Sequence, residues 1–239
     1  MEQLDALRTP PRSGNPATLL IVLCHGVGAD GRDLIELSTT WSQAMPDTAF
    51  LAPDAPEPCD MAQSGRQWFS LQDRTPAVLD AGARRAAPSL MATVAAEAAR
   101  LGLGPEAVVL MGFSQGAMMV LHAGLRRVPP PLAILSYSGA LLDSLELDAE
   151  ITGQPPVLLV HGRDDEVVPF ACGPAAEAAL RRVGVEVTCA WRPGVGHWID
   201  EAGLRAGALF LQQVAKHVAK HVAKQVPKQV TAAGGVTKP

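Results

Sequence analysis

The 239-residue sequence predicts an α/β fold: a mostly parallel central sheet covered by helices on both faces. Three observations predict it. Short apolar runs bounded by turn residues alternate with longer segments of helical periodicity. The runs are continuous rather than alternating, which marks strands buried on both faces. A tight Gly-Phe-Ser-Gln-Gly turn, residues 112–116, stands directly between one such run and one such helix.

In chain order, the apolar runs place strands at residues 19–24, 49–52, 107–111, 132–137, 157–160 and 185–191. Helical periodicity fills the intervals at 33–44, 79–101, 117–127, 174–183 and 199–214. In such a sheet, function gathers at the carboxyl ends of the strands. The Pro- and Gly-rich stretch 53–76 is too long for an ordinary connection and is a candidate binding loop. Residues 1–213 read as one domain. Residues 214–239 form a tail built on a four-residue unit, beginning Val214-Ala215-Lys216-His217. A period of four lies close to the helical 3.6, so the last helix is expected to run on until Pro227 stops it, with disorder from Ala232 onward. A solvated extension is the favoured reading of this tail, ahead of a membrane-surface or oligomer contact.

Composition narrows the function classes. At 48% hydrophobic and 18% charged, the chain has the make-up of an ordinary globular protein. No apolar run reaches the roughly 18 residues needed to cross a bilayer. The start, Met1-Glu2-Gln3-Leu4-Asp5, lacks the basic and apolar regions of a secretory signal, so a cytoplasmic location is expected. Cys24, Cys59, Cys172 and Cys189 have neither paired-ligand spacing nor the density of a disulfide scaffold. They read as reduced packing residues, and no metal site is expected. All five tail charges are lysines, so the net charge of −4 sits on a body more acidic than that total. An acidic body argues against a nucleic-acid partner.

The chemistry starts from Ser114. A G-x-S-x-G turn between strand and helix holds a serine hydroxyl clear of the sheet, with glycines where the backbone must turn tightly. A hydroxyl is a poor nucleophile at neutral pH, so a general base and an orienting acid must accompany it. On an α/β-hydrolase sheet the chain order is Ser, acid, His, which removes His25, His122 and His161 as bases. His217 and His221 belong to the tail repeat. His197 remains, in a glycine-rich loop between the last strand and the last helix. The acid belongs on the loop after strand 157–160, where Asp164 and Asp165 compete and the residue pattern does not separate them. Backbone donors for a developing oxyanion are expected from Gln115, which follows the nucleophile, and from Val27 in the loop His25-Gly26-Val27-Gly28-Ala29-Asp30-Gly31. That loop lacks the Lys-Ser/Thr ending of a nucleotide-binding turn.

Together these residues resemble the phospholipase/carboxylesterase family of α/β-hydrolases, which includes small bacterial carboxylesterases and acyl-protein thioesterases. The likeness rests on His25–Gly31, on Gly112–Gly116, on Arg66-Gln67-Trp68-Phe69-Ser70 and on the segment from His161 to Pro169. It implies that Asp165, four positions after His161, is the acid, and that Val27 and Gln115 form the oxyanion hole. The expected function is hydrolysis of small carboxylic esters of short to medium acyl chain through an acyl-enzyme, with no cofactor. An acyl-protein thioesterase or lysophospholipase is the nearest alternative, and a hydrolase-fold binding protein without turnover is a remote one. Trp68, Phe69 and Trp198 are the expected apolar pocket walls, with Trp198 standing where relatives often carry a smaller residue. Relatives also make a homodimer plausible.

Overall fold

The computed structural model describes residues 3–142 and 147–225. In chain order its elements are β1 (Ala6–Thr9), β2 (Leu19–Cys24), α1 (Gly31–Ile35), α2 (Leu37–Ala44), β3 (Thr48–Pro53), the two-residue strands β4 (Glu57–Pro58) and β5 (Arg66–Gln67), α3 (Pro76–Leu101), β6 (Val108–Phe113), α4 (Gln115–Leu125), β7 (Ala133–Tyr137), α5 (Leu147–Glu150), β8 (Val157–Gly162), α6 (Cys172–Arg182), β9 (Val187–Arg192) and α7 (Glu201–Gln225).

Seven strands make one sheet in the order β1-β3-β2-β6-β7-β8-β9. Every neighbouring pair from β3 to β9 is parallel, and β1 closes one edge antiparallel to β3. The continuous apolar runs serve two cores at once because successive side chains point to opposite faces. On β2, Leu20, Val22 and Cys24 enter a cluster with residues of α3, α4 and α6. Ile21 and Leu23 point the other way, against Leu34 of α1, Trp41 of α2 and Phe210 of α7. These five of the six β2 side chains are fully removed from solvent, and burial of each aliphatic one contributes about 1.5–3 kcal/mol.

Several boundaries differ from the sequence expectation. β1 was not expected: it is a four-residue edge strand with an intermediate-to-exposed pattern and no apolar run to announce it. The single helix expected at 33–44 is two, divided at Glu36. The last helix begins at Glu201 and continues to Gln225, past the end expected for the domain. The stop at Pro227 and the disorder expected from Ala232 fall outside the described residues. The long 53–76 connection carries the β4–β5 ribbon, and Arg66 bridges it to Ala29 of the loop after β2.

Candidate active site

Ser114 stands between the last residue of β6 and the first of α4, with φ +55° and ψ −118°. Few non-glycine residues occupy positive φ, and the surrounding backbone must hold this one there. Its N–H donates to the Tyr137 carbonyl (2.9 Å) and its carbonyl accepts from Ala117 (3.0 Å). The flanking glycines are needed for contact: a Cβ on Gly116 would overlap the Cys24 carbonyl, and one on Gly112 the Gly116 carbonyl.

The loops after β8 and β9 meet above this turn. His197 Nε2 lies 2.9 Å from Ser114 Oγ, and Nδ1 lies 2.8 Å from Asp165 Oδ2. Asp165 is buried, and its other oxygen accepts from the N–H groups of Val167 (3.0 Å) and Val168 (2.9 Å). Burial alone would push this carboxyl up. The His197 contact and the two backbone donors outweigh it, so the group titrates below the usual carboxylate range. Asp164 is exposed and uses its N–H on the Val195 carbonyl. The geometry thus distinguishes the two aspartates: Asp165 faces the imidazole. The Phe113 ring packs against His197 at 4.9 Å between centroids and limits where the imidazole can swing.

Val27 belongs to the loop after β2. Gly28 N–H is committed to the Arg66 carbonyl (2.8 Å) and Ala29 N–H to Gly26 (3.3 Å). Among the described residues, no hydrogen bond engages the Val27 N–H. Gln115 opens α4, where first-turn N–H groups have no helical partner.

Sequence reasoning missed two supporting side chains. His25 Nε2 accepts from Ala55 N–H (3.0 Å), which puts the ring proton on Nδ1, 2.7 Å from the Gly26 carbonyl. Burial lowers its pKa, keeping it neutral for that acceptor role. The Gln115 amide accepts from Trp68 N–H (2.9 Å) and donates to the Phe69 carbonyl (2.6 Å). Trp68 Nε1 donates to the His25 carbonyl (2.9 Å). Segment 66–69 is therefore a strap tying the Val27 loop to the serine turn. The signal was present in the motif residues His25 and Gln115, whose side chains were weighed only as a base and a backbone donor.

Ser114, His197 and Val27 open on a cleft of about 450 Å³, walled by Leu34, Leu37, Phe113, Val167, Trp198 and Ile199. Trp198 stands on the rim, 56% exposed. Trp68 and Phe69 are a correction to the expected pocket: they are buried in the core beneath the cleft, where the strap bonds hold them. Within the 53–76 segment, a candidate binding loop by composition, Ala55, Arg66, Trp68 and Phe69 bond to the loop after β2 and to the Gln115 side chain. Among the described residues, no group of three or more His, Cys, Asp or Glu side chains is placed to hold a metal ion. No helix among them is long and apolar enough to cross a membrane.

The phospholipase/carboxylesterase family profile matches residues 11–221. The chain belongs to the phospholipase/carboxylesterase family. Its similarity to other proteins runs along most of its length. It is 32% identical over 192 residues to esterase YpfH of Escherichia coli (strain K12), covering 80% of each chain. It is 29% identical over 204 residues to acyl-protein thioesterase 1 of Gibberella zeae, covering 79% of this chain and 86% of that one. The crystal structure of esterase PE8 superposes with a TM-score of 0.84 at 42% identity, over 89% of this chain and all of the other. In this phospholipase/carboxylesterase member, the architecture is the α/β-hydrolase fold of those esterase structures.

Proposed function

We propose that the chain is a serine hydrolase that cleaves small carboxylic esters through an acyl-enzyme. The observation that carries this reading is the continuous contact from Asp165 Oδ2 through both nitrogens of His197 to Ser114 Oγ. Ser114 Oγ attacks the ester carbonyl carbon while His197 Nε2 takes its proton. Asp165, held ionised, orients the imidazole and stabilises the imidazolium. The negative charge on the former carbonyl oxygen is received by the Val27 and Gln115 N–H groups. The imidazolium then protonates the departing alkoxide, leaving an ester on Ser114. Water, deprotonated by His197, hydrolyses it and releases the acid.

An apolar cleft with a tryptophan on its rim suits short to medium acyl chains. The relatives named as esterases support the ester reading, and the one named as an acyl-protein thioesterase makes thioesters the comparison that matters. The test is a panel of p-nitrophenyl acetate, butyrate and octanoate beside a palmitoyl thioester, together with fluorophosphonate labelling. Labelling on Ser114 and highest kcat/KM on the shorter esters are expected. Label on another serine overturns the mechanism, and preference for the palmitoyl thioester overturns the substrate assignment.

A further inference from the structure

His161 takes no part in the steps proposed for ester cleavage, yet it stands directly against the acid. It is the penultimate residue of β8, lies in register with Trp191 of β9 and is buried. Its neighbours fix the ring. Phe170 meets it edge-on at 6.0 Å between centroids, Trp191 meets Phe170 in the same way at 5.5 Å, and Gly173 passes so close that a Cβ there would lie 3.4 Å from Nδ1.

His161 Nε2 lies 2.9 Å from the Val168 carbonyl. A carbonyl oxygen can only accept, so this contact places a proton on Nε2. The same nitrogen is 3.5 Å from Asp165 Oδ2. That is too long for a charge-assisted hydrogen bond, but the N–H dipole stands beside a carboxylate with no solvent exposure, where little screens it. Val168 is thereby held at both ends: its N–H donates to Asp165 Oδ1 (2.9 Å) and its carbonyl accepts from His161. The backbone donors to Asp165, on Val167 and Val168, belong to its own turn. They fix the carboxylate relative to that turn but not relative to the sheet. Past Asp164, it is His161 that bonds the turn to the strand.

We infer that His161 is a positioning residue for the proposed acid: by bonding Val168 it sets where the Asp165 carboxylate stands against His197. This rests on the reading of Asp165 as the orienting acid of an acyl-transfer triad. A displaced carboxylate would orient the imidazole less well, and the loss would fall on the chemical step.

The test uses the full chain with p-nitrophenyl butyrate and reads kcat and KM separately, per folded molecule. His161→Phe keeps a planar ring and removes the Nε2 donor, so kcat should fall about ten- to a hundredfold with KM within about threefold of the parent. His161→Gln carries an N–H the same number of bonds from the backbone and should restore kcat to within about threefold. In an Asp165→Asn background, His161→Phe should cost less than about twofold more, because a residue that acts through another is not additive with it. Histidine-selective nitrogen NMR of the parent, which depends on no variant folding, should show His161 protonated at Nε2. The assignment is overturned by parental kcat in His161→Phe, by additive losses with Asp165→Asn, by a kcat as low in His161→Gln as in His161→Phe, or by an unprotonated Nε2. A rise in KM at constant kcat overturns it as well, since the histidine would then serve the Val167 wall of the cleft. Full activity in Asp165→Asn overturns the triad reading and this assignment with it, whereas an inactive Asp165→Asn beside a fully active His161→Phe overturns this assignment alone.

Discussion

Ser114 carries its backbone at a positive φ while its hydroxyl contacts His197, so its conformation is held by its surroundings. Ser114→Ala should therefore lower ester turnover roughly 10⁴-fold or more while leaving the melting temperature near the parent's. Unchanged turnover in that variant would sink the assignment. The two aspartates give a sharper test. Asp165 meets the imidazole from a buried position and Asp164 sits in solvent, so Asp165→Asn should cost at least about a hundredfold more activity than Asp164→Asn. Equal losses would mean that the acid is misassigned. This distinction was not legible in the residues themselves. Two adjacent carboxylates in a turn look alike until the fold decides which one points inward.

At the scale of elements, the strap formed by residues 66–69 ties together the loop and the turn that carry the two proposed oxyanion donors. Trp68→Phe keeps the ring in the core but removes the Nε1 bond to the His25 carbonyl. We expect kcat to fall about ten- to a hundredfold with KM little changed, because small displacements of an oxyanion donor are expensive and substrate binding does not depend on it. A rise in KM at constant kcat would show that Trp68 serves the pocket instead. The same strap explains what the sequence concealed. The strands of the parallel sheet announced themselves, since residues such as Ile21 and Leu135 are buried in unbroken apolar runs. The aromatic pair Trp68 and Phe69 sits in a Pro- and Gly-rich connection, and such a segment gives no periodicity from which to read facing. Whether those rings line a cleft or underlie it is decided by long-range bonds to Gln115 and His25. The edge strand β1 escaped for a related reason, being half exposed and four residues long.

For the whole molecule, buried neutral groups set the acid limit. His122 titrates near 4 in the fold against an ordinary value near 6.5, so its contribution is complete above about 6.5 and is lost as pH falls toward 4. The loss amounts to about 3 kcal/mol. Asp165, also depressed, acts in the same direction at lower pH. Urea unfolding of the parent should show stability falling between pH 6.5 and 4, and His122→Gln should flatten that slope. Parallel curves for the two proteins would refute it. The proposed catalytic groups all lie between Val27 and His197, and among the tail residues whose burial is described, Val214 is buried and Lys216 exposed. Deleting residues 218–239 should accordingly leave turnover of a small soluble ester unchanged within about twofold; a tenfold loss would make the tail part of the site.

The contact between Ser114 and His197 spans 83 residues of chain. During synthesis at roughly 5–20 residues per second, the serine emerges several seconds before the ring that would activate it. Asp165 and the β8–β9 pairing appear within that same interval. On the proposed mechanism the hydroxyl is an ordinary alcohol until the last parallel strand docks, and the nascent chain is inert toward esters.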